Sequence, residues 1–188
     1  MVKTDNLSFT YGKRFILRDF NMEISDGECV CICGESGKGK STLAKLIAGL
    51  LKPTFGSINA PENISYVFQE DRLLNNMNVI KNVCLNVTKA RIPFAENLLD
   101  RLGLLEWKNS KIGDLSGGMK RRVAIARAIC HGGDLLILDE PFNGIDHHNK
   151  KIIAEIVKEE YILKGKSVLL ISHIIEDSEI LNARRIDM

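Results

Sequence analysis

Apolar and polar positions follow two periods along this chain, and each change of period marks an element. From Asn6 to Thr10, and again from Phe15 to Ile24, the pattern reads as β-strand. Asp26-Gly27 is a hairpin-turn signal. The apolar run Cys29 to Cys33 then ends abruptly at Gly34. From Lys40 to Leu51 apolar residues recur at helical spacing, at Leu43, Leu46, Ile47 and Leu50, and Pro53 stops that helix. Short strands are predicted around Ser57-Ile58 and from Ile64 to Phe68. The stretch from Asp71 to Asp114 carries little β signal and reads as mostly helical, with Leu98, Leu99, Leu102 and Leu105 on one face. A helical subdomain inserted into an α/β core is the predicted arrangement. A further helix runs from Gly118 to about Ile129, and Leu135 to Leu138 is a continuous apolar run that suits a strand buried on both faces. Another helix is predicted from roughly His147 to Leu163, a strand from Ser167 to Ser172, and a short helix after His173. Strands that alternate with helices in this way point to a mainly parallel sheet.

A chain of 188 residues fits one domain. At this size roughly 70% of the unfolded surface can be buried without disulfides or metals. With 45% hydrophobic and 27% charged residues the composition is that of a soluble globular domain. A formal net charge of +2 supplies no long-range field for nucleic acid, so none is expected as a partner. The basic cluster Lys120, Arg121, Arg122 and Arg127 reads as a solvated helix face. Cys29, Cys31 and Cys33 alternate along one strand and share a face; with no second pair at metal-ligand spacing, they read as small buried hydrophobes. Reduced thiols fit a cytoplasmic setting. The start MVKTDNLSF lacks a signal-type apolar stretch, and no apolar run approaches the ~20 residues of a membrane span. Any membrane role is therefore expected to come through a partner.

Gly34 to Thr42 reads GESGKGKST, a full match to GxxxxGK[ST] placed between a strand and a helix. Glycines at 34, 37 and 39 let the backbone curl so that N–H groups face inward, and the following helix adds its positive end. Lys40 can reach β- and γ-phosphates, and the Ser41 hydroxyl can ligate Mg²⁺. Further on, LLILDEP delivers Asp139 and Glu140 to the end of a buried strand. Asp139 suits a magnesium ion opposite Ser41, and Glu140 suits a base that orients the attacking water. An apolar run ending in two acids is weak by itself; the phosphate cradle gives it weight.

Leu115 to Met119 reads LSGGM just before a helix. Ser116 with the N–H groups of Gly117 and Gly118 forms a second anion-binding helix end, or simply a capped helix start. Two cradles in one chain suggest two chains sharing each nucleotide.

The order GESGKGKST, Gln69 after a strand, LSGGM, LLILDEP and His173 after a strand resembles that of ABC ATPase domains over nearly the whole chain. The resemblance implies a phosphate-loop NTPase of the α/β class, with a mainly parallel central sheet, an antiparallel β subdomain and an inserted helical subdomain. On that division residues 1–70 and 116–188 form the core with its β subdomain, and about 71–115 the helical part of a single domain. It implies ATP and Mg²⁺ as ligands. Gly34, Glu35, Ser36, Gly37, Lys38, Gly39, Lys40, Ser41 and Thr42 match the phosphate loop, and Ser116, Gly117 and Gly118 match the loop that completes a neighbour's site. Tyr11 matches the aromatic that stacks on adenine, although it can also be a packed surface aromatic. Gln69 matches the residue that senses γ-phosphate and magnesium and lies near the membrane partner. Asp146 matches the aspartate that communicates across the dimer, and it is also expected to cap the helix beginning at His147. His173 matches the switch histidine at the γ-phosphate. The implied catalytic set is Glu140, His173 and Gln69; Ser41, Gln69 and Asp139 are the implied metal set.

Local segments are similar to ATPases of nitrate, sulfonate and taurine importers: QEDRLLNNMNV, DEPFNGID and LSGGMKRRVAIARAI. Asn75-Asn76-Met77 and Asn143-Gly144 depart from that branch's usual residues. The chain also stops soon after His173, which reads as a minimal domain. The expected role is an ATPase that drives an importer, held by a permease subunit at the cytoplasmic face of the membrane, with a second nucleotide-binding domain completing a dimer. The rival readings are a soluble ABC ATPase of DNA repair, chromosome or translation type, and a subunit that binds nucleotide without turnover. The first lacks the coiled-coil insertion or tandem cassette it usually shows, and the second usually loses residues that are present here.

Overall fold

Strand-forming segments separated by short turns fold into two sheets with one helix layer between them and another beyond. The computed structural model describes residues 1–188. In chain order the elements are β1 (Val2–Tyr11), β2 (Arg14–Ile24), β3 (Cys29–Cys33), α1 (Lys40–Ile47), β4 (Phe55–Asn59), β5 (Ile64–Val67), α2 (Val79–Val83), α3 (Ile92–Arg101), α4 (Gly117–His131), β6 (Leu135–Asp139), α5 (His147–Glu160), β7 (Ser167–Ile171), α6 (Ile175–Ile180) and β8 (Arg184–Asp187). An antiparallel three-stranded sheet has the order β2-β1-β4, and a five-stranded sheet has the order β5-β6-β7-β3-β8 with every pair parallel. All residues of β3, β6 and β7 are buried, which is why those strands are continuous apolar runs.

The alternation of side chains along β3 divides the core. Val30 and Ile32 face α1 and the antiparallel sheet, packing with Leu43, Ile47, Leu7 and Ile24. Cys29, Cys31 and Cys33 face the opposite layer, with Leu136, Leu170, Ile125 and Ile156. The three thiols are thus core residues, as their spacing predicts, and burial pushes the Cys29 thiol up to about 12. Fully burying an aliphatic side chain contributes about 1.5–3 kcal/mol.

Several expected boundaries move. Asp26-Gly27 is a turn but not a hairpin, because β2 and β3 lie in different sheets; the hairpin turn is Gly12-Lys13, between β1 and β2. The first helix stops at Ile47, since Gly49 adopts a positive φ of 69° before Pro53 is reached. Between Asp71 and Asp114 only α2 and α3 are α-helical, joined by single 3₁₀ turns. Gly103 (φ 65°) ends the α3 face, so Leu104 is buried beside Leu98, Leu99 and Leu102 in place of Leu105. α4 runs two residues beyond its expected end to a left-handed Gly132, and α5 ends at Glu160 before a 3₁₀ turn. The short strand β8 has no clear signal in the sequence. Finally, the basic cluster on α4 is not a solvated face: Arg121 is 4% exposed, and Arg122 and Arg127 are half-buried against backbone carbonyls.

Candidate functional site

Because the central strands are parallel, their carboxyl ends share one edge, the edge at which open α/β sheets bind ligands. The chain leaves β3 at Gly34, β5 just before Gln69, β6 at Asp139–Glu140 and β7 just before His173. Four segments singled out from the sequence are therefore brought together by topology.

The loop after β3 needs its glycines. Gly34, Gly37 and Gly39 have φ of 143°, 83° and 98°. A Cβ at Gly34 would lie 2.5 Å from the carbonyl oxygen of Met188, and one at Gly39 would lie 2.8 Å from Ile16. Gly39 precedes α1 with no side-chain cap, leaving the first-turn N–H groups available to an anion. Lys40 is 6% exposed, and its ammonium donates to the carbonyls of Gly34 and Glu35, at 2.8 Å each. A cleft of about 210 Å³ opens over this loop, lined by Ser36, Gly37, Lys40, Ser41, Thr42, Gln69 and Glu140. It adjoins a larger one of about 730 Å³ lined by Glu35, Ser36, Gln69, Glu140 and His173. Lys38 stands exposed on the crest of the loop.

The Ser41 hydroxyl donates to Asp139 at 3.0 Å, and the Tyr66 hydroxyl donates to the other carboxylate oxygen at 3.2 Å. Burial pushes the Asp139 carboxyl above its usual range, while these hydrogen bonds and Lys45 act the other way. A hydroxyl, a carboxylate and the nearby Gln69 amide are hard oxygen donors, which fit Mg²⁺ sharing its coordination with phosphate. No cluster of three or more His, Cys, Asp or Glu side chains forms an all-protein metal cage.

Glu140 takes a left-handed φ of 50°. That conformation costs a non-glycine residue roughly 1–2 kcal/mol. It turns the side chain toward His173, whose Nδ1 lies 2.9 Å from both carboxylate oxygens. Ser172, immediately before His173, donates to Asp177 at 2.7 Å, and Asp177 pairs with Lys150 at 2.9 Å.

The remaining candidates lie apart from this centre. Ser116 caps α4 by accepting from the Met119 N–H, and neither cleft is lined by Ser116, Gly117 or Gly118. Asp146 caps α5, accepting from the Asn149 N–H at 3.0 Å and the Asn149 amide at 2.6 Å; these bonds hold its carboxyl below the ordinary range. Tyr11 is 54% exposed and meets Phe9 edge-on at 4.9 Å, outside both clefts.

Sequence reasoning missed Arg121, Tyr66 and the Ser172–Asp177–Lys150 chain. One signal was available for Arg121: it stands four residues before Ile125, hence on the buried face of α4.

A glycine cradle at the end of a buried parallel strand, flanked by carboxylates on a neighbouring strand end, defines the phosphate-loop NTPase class. Comparison with known proteins makes the class narrower. The model of the ABC transporter family matches residues 17–143. The chain is 35% identical to the ergothioneine transport ATP-binding protein EgtV of Helicobacter pylori, over 100% of this chain and 97% of that protein. It is 39% identical to an aliphatic sulfonates import ATP-binding protein of Pseudomonas syringae pv. tomato, over 92% of this chain and 67% of that protein. A dimeric structure of a bacterial ABC transporter cassette superimposes with a TM-score of 0.85 at 28% identity, covering 96% of this chain and 91% of that one. A post-hydrolysis dimer of such a cassette, bound to ADP and Pi, gives 0.84 at 27% identity over 96% of this chain and 91% of that one. The chain belongs to the ABC transporter family, as an ATP-binding ATPase domain.

Proposed function

We propose that this protein hydrolyses ATP to drive a membrane importer, as one of a pair of cassettes that close on nucleotide. A sulfonate-import relative, an ergothioneine-transport relative and dimeric structural neighbours support that reading. No helix is long and apolar enough to cross a membrane, so a permease subunit would hold the cassette at the cytoplasmic face. The contact would be made near Gln69 and the helical segment of about 71–115, the rest of the chain being the nucleotide-binding core.

The triphosphate would lie along Gly34–Thr42, with Lys40 toward the β- and γ-phosphates and Tyr11 against the adenine. Mg²⁺, held by Ser41 and Asp139 with Gln69 nearby, would neutralise the charge developing on the phosphates. Glu140 orients water for in-line attack and takes its proton, and His173 fixes the carboxylate and faces the γ-phosphate. Ser116, Gly117 and Gly118 of the second copy close the site, and Asp146 lies at the junction between the copies. Positioning and charge stabilisation suffice, with no covalent intermediate.

The observation that carries this reading is the Glu140–His173 pair at 2.9 Å, with Glu140 lining the Lys40 cleft and His173 the cleft that adjoins it. Glu140→Gln should retain ATP binding, run as a dimer with MgATP in size-exclusion chromatography, and lose about a hundredfold or more in phosphate release. Parental turnover by that variant would overturn the assignment of the base.

A further inference from the structure

Arg121 is in the second turn of α4, the helix capped by Ser116. A buried guanidinium has five N–H groups to satisfy, and here every one is engaged by backbone or by one carboxylate. Nε donates to the Pro141 carbonyl at 3.0 Å, and Nη2 donates to the carbonyls of Asp139 and Glu140 at 2.8 Å each. Nη1 donates to the carbonyls of Phe68 and Gln69 and to the Asp71 carboxylate at 3.2 Å. Three consecutive carbonyls thus converge on one cation at the point where Glu140 has its left-handed φ of 50°. The same cation holds the loop that carries Gln69. Farther along α4, Arg127 donates to the carbonyls of Asp71 and Arg72, gripping the far end of that loop only.

We propose that Arg121 is a positioning residue for ATP hydrolysis. Through the backbone of 139–141 it sets the direction of the Glu140 carboxylate. Through the carbonyls of Phe68 and Gln69 it fixes the neighbouring loop to the same helix. Ser116 heads that helix, so a displacement at Ser116 is carried by α4 to both. A lysine cannot replace it, because a compact ammonium cannot span acceptors spread over two loops. This inference rests on the assignment of Glu140 and Gln69 to the hydrolytic site.

The test compares Arg121→Lys and Arg121→Gln with Arg127→Gln and the parent. Both Arg121 variants should lose about ten- to a hundredfold in kcat, because misplacement of a reacting group by about 1 Å costs that much. KM and the Kd for MgATP should stay within about threefold, since the phosphate cradle is untouched. Amide hydrogen exchange should quicken in 139–144 and 68–72 in the Arg121 variants, and only in 68–72 in Arg127→Gln.

Turnover within about twofold of the parent in both Arg121 variants would overturn the proposal. So would a rise in KM with kcat intact, or faster exchange throughout the parallel sheet, which would make the arginine merely structural. Failure of the underlying reading shows separately, as parental turnover in Glu140→Gln, and leaves the exchange pattern to report on the clamp.

Discussion

Gly34 has a φ of 143°, and any side chain there meets the Met188 carbonyl at 2.5 Å. Gly34→Ala therefore combines a disfavoured backbone with a clash against main chain. A loss of roughly 1–3 kcal/mol is expected from the backbone alone, to be read from urea unfolding, and weaker ATP binding should accompany it. The sequence announces Gly34, Lys40, Ser41, Asp139 and Glu140, because backbone sterics and phosphate chemistry require those residue types at fixed spacing. It does not announce Tyr66, and of Arg121 its helical spacing signals only the buried face, not the partners. Their importance comes from carbonyls and a carboxylate supplied by distant segments, and a polar residue facing inward breaks the apolar pattern rather than extending it.

Among the elements, the edge strand β8 is tied to the residue before β3 by an ion pair as well as by its parallel pairing with β3. Arg184 donates to Glu28 at 2.5 Å, and this bond is the main cause holding the Glu28 carboxyl below its usual range. A carboxyl lowered by folding adds stability that is complete above its unfolded pKa and is lost as pH falls through the folded one. The stability gap between the parent and Arg184→Met should accordingly shrink as pH falls below about 4.3, measured by urea unfolding across that range. The end of β7 is held differently. Asp177, 1% exposed, joins Ser172 to Lys150 on α5. Asp177→Ala leaves the lysine without its partner and should cost about 3–5 kcal/mol in unfolding free energy; a change below 1 kcal/mol, roughly the value of an exposed pair, would show that the network is dispensable. Periodicity revealed most strands and helices because their buried faces are apolar. Element ends were less legible: Gly49 and Gly103 stop helices earlier than the apolar pattern suggests, and β8 is too short and too charged to signal itself.

At the scale of the whole molecule, the cradle of one protomer and Ser116 of the same protomer do not line a common cleft. If two copies face head-to-tail, Lys40→Ala and Ser116→Arg fail for complementary reasons. Each alone should be inactive, yet an equimolar mixture should recover up to about a quarter of parental activity, since half of randomly formed dimers contain one intact site of two. No recovery on mixing would count against shared sites. The sequence suggested this division through two separate glycine-rich helix starts, at Gly34–Thr42 and at Ser116–Gly118; the orientation of one copy on the other has no pattern in one chain. The thiols of β3 have a practical consequence. Four of the five cysteines are buried and only Cys84 is partly accessible, so a chromogenic disulfide reagent applied to native protein should be consumed slowly, mainly at that position. The other four sulfhydryls become titratable when the sheet comes apart, which makes the colour change an internal clock for global opening that needs no introduced label.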